Sequence, residues 1–107
     1  QTGKLNYNEK MIVQRILLRP YLRKLKLPAA KYTEVNKFVS RHLYKEIESN
    51  PQYLYRFNAL HEIAEREGVD FKNKKAVDEA FSKQGIDHSL EAEFGPIVRR
   101  LIKAKMD

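Results

Sequence analysis

Apolar residues recur along most of this chain at intervals of three and four positions, with polar residues between them. That spacing places the apolar residues on one face of an α-helix. The three longest predicted helices cover about residues 8–26, 32–48 and 51–67. A short fourth helix follows Asn73, and the last helix starts between Ser89 and Pro96. No hairpin signal is present, so the predicted fold class is all-α, a compact bundle of four to five helices.

The first predicted helix contains a proline in its middle. The stretch RILLRPYLRKLKLP (residues 15–28) has helical spacing on both sides of Pro20. Proline has no backbone N–H, and its ring crowds the carbonyl of the residue four positions earlier, here Ile16. The first helix is therefore expected to be kinked or broken at Pro20. One solution is a break near Arg19, with Pro20 at the first position of a second short helix, and Pro28 then closes the segment.

Other helix boundaries are marked by residues with known end preferences. Asn50 can cap the third helix, and Pro51 suits its first turn. Gly68 and Gly85 are the natural left-handed residues that end the third and fourth helices. The stretch FGP (residues 94–96) is either the start of the last helix or an interruption in it, and the sequence leaves both open.

Length and composition are those of one folded domain. The chain has 107 residues, 42% of them hydrophobic and 33% charged, so we expect a single helical domain over residues 1–107. No apolar run is long enough to cross a membrane, which predicts no membrane partner. The sequence contains no cysteine, which excludes disulfides and favours a reducing, intracellular compartment. Because the chain starts at Gln1, we expect a domain excised from a larger protein.

The positive charge is concentrated in the first half of the chain. Residues 1–49 hold eleven lysines and arginines and four acidic residues, a net charge of +7, whereas residues 50–107 hold ten of each. Such an asymmetry indicates a negatively charged partner, either an acidic or phosphorylated protein segment or a nucleic acid. The alternative is a solvated face with an imbalance that arose by chance.

Two series of basic residues lie at helical spacing in this half. We predict that they form one contiguous ligand-binding face on the first two helices: Arg15, Arg19, Arg23, Lys26, Lys37, Arg41 and Lys45. Arginine's planar fork suits phosphate, and lysine adds a less directional charge. Against this, Glu34 and Glu48 can pair with lysines one turn away, which would make the series ordinary surface ion pairs.

The residues that catalysis or metal binding would need are missing. The three histidines are scattered, and in HEIAE (residues 61–65) Glu65 stands where the zinc-protease signature requires a second histidine. No glycine-rich phosphate loop is present, and no serine has an obvious local base. The sequence therefore predicts a protein that is not an enzyme and has no cofactor and no metal site.

A second interface is predicted on the third helix. Tyr53, Tyr55 and Phe57 lie within five positions, so at helical spacing they cannot all point to one face. One of the tyrosines is expected to be partly exposed, and tyrosine is favoured at protein interfaces.

The stretches MIVQRILLRPYLRK and KYTEVNKFVSRHLYKEI resemble the helical domain by which histone lysine methyltransferases of the elongation type bind the phosphorylated tail of RNA polymerase II. That family has a helix ending in a Pro-Tyr pair and a second helix ending in a Lys-Glu-apolar triplet, here residues 20–21 and 45–47. The resemblance implies a nuclear three-helix bundle that binds a doubly phosphorylated peptide across a basic face. The chain departs from the family in residues 50–94, where the family has only a short connection.

The same region together with NPQYLYRFNALHEIA also resembles a KIX-type coactivator module, which docks amphipathic activation helices. Both resemblances imply an interaction module of the nuclear transcription or chromatin machinery. The sequence hypothesis is therefore a non-catalytic module that binds an acidic or phosphorylated partner through its basic face. Direct DNA or RNA binding by the helical domain is the alternative, supported by the sequence pI of 9.7.

Overall fold

A computed structural model describes residues 3–107, and within that range it is all-α. The elements are α1 (Tyr7–Ile12), a π-helical segment (Val13–Leu18), α2 (Arg19–Lys24), α3 (Ala29–Ser49), α4 (Pro51–Arg66), α5 (Lys74–Lys83) and α6 (Ile86–Met106). Because α1, the π segment and α2 follow one another without a gap, they form one continuous first helix. The predicted all-α bundle of four to five helices is confirmed.

The irregularity expected at Pro20 takes the form of the π segment. The N–H of Arg19 donates to the carbonyl of Gln14, five residues earlier, instead of four. Leu18 (φ −83°, ψ −47°) and Arg19 (φ −58°, ψ −44°) keep right-handed helical backbone angles. The first helix is therefore interrupted but not broken at Arg19. A wider turn next to a proline is one of the ways in which a helix continues past it.

Several helix ends follow the predicted local chemistry. The Asn50 side chain accepts a hydrogen bond from the N–H of Gln52 (3.0 Å), and Pro51 is the first residue of α4. Gly68 and Gly85 have left-handed backbone angles (φ 71° and 72°), as expected after α4 and α5. Asn6 forms a reciprocal capping box at the start of α1, which was not among the predicted helix ends.

The predicted start of the last helix is wrong. Helix α6 begins at Ile86, directly after Gly85, and runs through Pro96 to Met106. Its first turns are held by packing, since Leu90 and Phe94 are fully buried before Pro96 is reached. Burial of these side chains outweighs the one backbone hydrogen bond that Pro96 cannot donate. The FGP stretch is therefore inside the helix.

The π segment lies at the centre of the bundle. Four of its six residues are buried, and it contacts α3, α5 and α6. Helix α6 also packs along α3, while α4 closes the other side against α1 and α3. The core contains most of the large apolar side chains of all helices, with Phe57, Phe81 and Phe94 the largest that are fully buried.

Gly95 is required by a close contact between α2 and α6. A Cβ atom at this buried position would lie 2.3 Å from the Tyr21 hydroxyl oxygen. Arg99 donates a hydrogen bond to the same hydroxyl (3.2 Å), which holds the tyrosine in place over the glycine. The glycine thus leaves room for the end of the Tyr21 side chain against α6.

Gly95→Ala is expected to destabilise the protein by about 1–3 kcal/mol, because the new methyl group overlaps the Tyr21 hydroxyl. In a Tyr21→Phe background the overlap is gone, and the same change should be neutral or stabilising by up to about 1 kcal/mol, since alanine favours a helix. Urea unfolding of the four proteins of this double-mutant cycle measures both effects. An equal cost in the two backgrounds would contradict the contact.

Candidate anion-binding site

The predicted basic residues are divided between two clefts that share no lining residue. The first, the π cleft, has a volume of about 370 Å³ and is lined by Arg15, Ile16, Arg19, Pro20, Arg23, Asp78, Ser82 and Asp87. The second, the basic groove, has a volume of about 360 Å³ and is lined by Lys10, Lys37, Ser40, Arg41, Tyr44, Lys45 and Glu48. Lys26 lines neither; it adopts a left-handed conformation (φ 52°) after α2. The structure thus replaces the single predicted face with two surfaces.

Two consecutive residues of the first helix show why the basic residues separate. Gln14 points to α3, where its amide donates to the Tyr44 hydroxyl (2.8 Å) and accepts from the Asn36 amide (3.0 Å). Arg15 points to α5, where it forms a two-pronged ion pair with Asp78 (3.1 and 2.5 Å). Neighbouring helix positions are rotated by roughly 100°, so the α3 side and the α5 side of this helix carry different basic residues.

The basic groove has three cations in line on α3. Lys37, Arg41 and Lys45 are exposed and follow one another at intervals of four residues. With a helical rise of about 1.5 Å per residue, they are spaced about 6 Å apart over a total of about 12 Å. Lys10 of α1 adds a fourth cation, with its Nζ 5.3 Å from the centre of the Tyr44 ring. This residue was missed because nothing in the sequence shows that α1 lies beside α3.

The acidic residues of the first half of the chain all contact groups other than the groove cations. Glu9 is buried in the α1 capping box, and Glu48 accepts the N–H of Leu5 (2.9 Å). Glu46 pairs with Arg100 of α6. Glu34 accepts hydrogen bonds from Lys105 and Lys31. Both bonds lower the pKa of its carboxyl group, and the bond from Lys105 has the larger effect.

As a result, the groove cations have no acidic partner. Among residues 3–107, no carboxylate oxygen lies within 4 Å of the charged groups of Lys10, Lys37, Arg41 or Lys45. Of the predicted pairs between Glu34 or Glu48 and a neighbouring lysine, only the pair of Glu34 with Lys31 forms among residues 3–107. The basic groove keeps an uncompensated positive charge.

Tyr44 forms the floor of the basic groove. Burial raises the pKa of its hydroxyl, while the hydrogen bond from Gln14 acts in the opposite direction. The hydroxyl is thus neutral at physiological pH and held by a side-chain network that begins at Asn36. The half-buried ring lies among exposed cations, with the Lys10 ammonium over its face.

The predicted second interface is largely part of the core. Phe57 is fully buried, with its ring centre 5.2 Å from that of Phe94, so it cannot contact a partner. Tyr53 is half-buried and packs edge-on against the same phenylalanine (4.9 Å). Only Tyr55, 73% exposed, has the accessibility that the prediction required of one tyrosine. The three residues therefore do not form a joint surface.

The histidine of the HEIAE stretch belongs to a polar contact between helices. His61 lies within 3.3 Å of the side-chain amides of Asn6 and Asn8, and 3.8 Å from carboxylate oxygens of Glu9 and Glu65. Over residues 3–107, no group of three or more histidine or acidic side chains has the arrangement that a metal ion needs. In the same range, no helix combines the length and the apolar character of a membrane span.

Comparison of the chain with protein-family models, with curated proteins and with solved structures found no match. The two resemblances described for the first half of the chain therefore stay predictions. The features of this chain that bear on function are the geometry and charge of the two clefts.

Alkaline pH should weaken the contribution of Tyr44 to stability. Because its pKa is raised in the folded protein, the neutral hydroxyl stabilises the fold fully below about pH 10, the unfolded value, and this contribution is lost as the pH rises through the folded pKa. The unfolding free energies of the wild type and Tyr44→Phe should therefore differ less at about pH 11 than at about pH 8. Tyr21, whose pKa is also raised, is present in both proteins and cancels. A difference that does not change with pH would contradict this assignment.

Proposed function

We propose that this chain is a non-catalytic interaction module that binds an acidic or phosphorylated protein segment in the basic groove. The observation that carries the proposal is the set of four cations, Lys10, Lys37, Arg41 and Lys45, without an acidic partner around one anchored tyrosine. Unpaired cations in close proximity repel one another, and an anionic partner relieves that repulsion.

The spacing of the cations favours an extended segment. Along a strand, side chains on the same side recur every second residue, at about 6.6 Å, which is close to the roughly 6 Å between Lys37, Arg41 and Lys45. A partner with acidic or phosphorylated residues at alternate positions can therefore place one negative group opposite each cation. Such a segment needs about five residues to span the series.

A protein segment fits the groove better than a nucleic acid does. Tight binding to duplex DNA typically involves roughly 6–10 phosphate contacts, whereas the groove offers four cations over about 12 Å. The carboxylate of Glu48 also lies in the groove and would face the backbone of a longer polyanion. A short acidic peptide can avoid that carboxylate by its choice of residues.

The proposal also includes a cellular role for the module. The resemblance of the first half to the polymerase-tail-binding domain and to the KIX-type module supports a role in the nuclear transcription or chromatin machinery. A phosphorylated peptide, which the first of these families binds, is also the kind of ligand that the groove favours.

The proposal is tested by fluorescence anisotropy with three labelled ligands. These are a phosphorylated polymerase-tail repeat peptide, its unphosphorylated form and a 20-base-pair DNA duplex. The phosphopeptide should bind and saturate, and removal of its phosphates should abolish binding. In the triple variant Lys37→Gln, Arg41→Gln, Lys45→Gln, affinity should fall about tenfold, because three exposed charge contacts of roughly 0.5 kcal/mol each are lost.

The matched control is a triple variant that removes the same charge elsewhere. Lys72, Lys74 and Lys75 are exposed and line neither cleft. Their substitution changes the net charge by the same amount without altering the groove. Their substitution by glutamine should change affinity by less than about twofold. Steeply salt-dependent duplex binding would identify a nucleic-acid module instead, and equal losses in both triple variants would remove the groove from the proposal.

A further inference from the structure

The π cleft places basic residues of the first helix opposite polar residues of α5 and the start of α6. The ion pair between Arg15 and Asp78 fixes the alignment of the two walls (3.1 and 2.5 Å). Only 10% of the Arg15 side chain is exposed, so this pair is part of the structure rather than a free cation. It does not serve as the ligand contact that the sequence predicted for Arg15.

One helical turn beyond this pair, the two walls are not matched in charge. Arg19 follows Arg15 by four residues, and Ser82 follows Asp78 by four residues in the last turn of α5. Arg19, Arg23 and Ser82 all line the π cleft together with this pair. The α5 wall of the cleft thus has a neutral hydroxyl group one turn after the Asp78 carboxylate, and the wall of the first helix has an arginine one turn after Arg15.

Arg19 has no partner for its guanidinium group in the part of the chain that the structure describes. No carboxylate lies within 4 Å of it, and it donates no side-chain hydrogen bond to residues 3–107. The residue is nevertheless half-buried. Arg23, one turn further on, is also unpaired by these criteria. An arginine in such a position has strong, directional donors left for an anion.

The π segment brings these arginines onto one side of the helix. In a regular α-helix, residues four apart drift by about 40° and residues eight apart by about 80°. The wider π turn contains more residues and therefore rotates less per residue, which counteracts that drift between Arg15 and Arg19. This is how Arg15, Arg19 and Arg23 all line one cleft.

We propose that the π cleft binds one phosphate group between Arg19, Arg23 and the Ser82 hydroxyl. The cleft's five charged residues carry one net positive charge: three arginines against Asp78, which Arg15 neutralises, and Asp87, which lies at the N-terminal end of α6. A volume of about 370 Å³ admits a phosphate together with part of the molecule that carries it. The carrier is a phosphorylated side chain of a partner or a small phosphate ester.

A built-in carboxylate gives the sharpest test. Ser82→Asp places a negative charge where we propose the phosphate, and it should raise Tm by about 2–4 °C. Without the arginines the opposite is expected, since Ser82 lies in the last turn of α5, where the helix dipole disfavours an acid, and one turn from Asp78. The direction of the change in Tm therefore distinguishes the two cases.

The double variant Ser82→Asp, Arg19→Gln is the control for this measurement. If Arg19 receives the charge, the gain in Tm disappears in the double variant relative to Arg19→Gln alone. A fall in Tm for Ser82→Asp in the wild-type background, or a gain that persists without Arg19, would overturn the proposal.

Phosphate binding itself is followed by the NMR signals of the arginine side-chain N–H groups. Titration with inorganic phosphate should shift the Arg19 signal, whereas sodium chloride at equal ionic strength should not. Arg19→Gln and Ser82→Asp should abolish saturable binding, while the triple variant of the basic groove should retain it. This last arm separates the π cleft from the proposed function of the groove.

Two further ligands identify the carrier. Tighter binding of a short phosphoserine peptide than of glycerol 3-phosphate indicates a phosphorylated partner, and the reverse indicates a small phosphate ester. Absence of a saturable Arg19 shift with inorganic phosphate and with both esters would overturn the proposal.

Discussion

The first helix has to pass Pro20 while lying at the centre of the bundle, and the packing of the other helices depends on how it does so. A break at this point would leave backbone polar groups unpaired next to the core, which costs as much as lost hydrogen bonds. The π segment avoids the break, since Arg19 still donates to Gln14. Its apolar side chains remain buried against α3, α5 and α6. The same wider turn sets the direction of the arginines on the α5 side.

Electrostatic contacts between helices use up the acidic residues of the basic half. Glu34 and Glu46 of α3 pair with Lys105 and Arg100 of α6, and Glu48 holds the N-terminal residues through Leu5. Pairs of this kind on the surface contribute little to stability, because water and salt screen them. Their larger effect is on the surface potential, because these carboxylates are bound to groups other than the cations of the basic groove.

The fold could be predicted from the sequence where local chemistry determines it. Asn50, Gly68 and Gly85 mark helix ends by their own conformational preferences, and these ends are found as expected. The start of α6 could not be placed, since local signals at Ser89 and Pro96 compete with burial of side chains that only the packed bundle shows. Tertiary packing decides such cases, and the sequence pattern contains no information about which helices are neighbours.

The candidate site could likewise be predicted only where local spacing determines it. The spacing of the basic residues along each helix is correct, but Gln14 and Arg15 turn toward different neighbours and divide the residues between two clefts. Asp78 and Ser82 could not be connected with the arginines, because 55 to 67 positions separate them along the chain. The predicted interface includes Phe57 because three aromatic residues lie within five positions, whereas its side chain is fully buried in the core.

The last two turns of α6 affect the charge of α3 in addition to packing in the core. Lys105 and Arg100 hold Glu34 and Glu46 through ion pairs. Glu34 lies three residues before Lys37, close enough on a helix to pair with it once Lys105 is gone. A chain shortened before Arg100 would therefore lose cations at its end and also release carboxylates that compete for the groove. The C-terminal residues thus keep a distant surface positively charged.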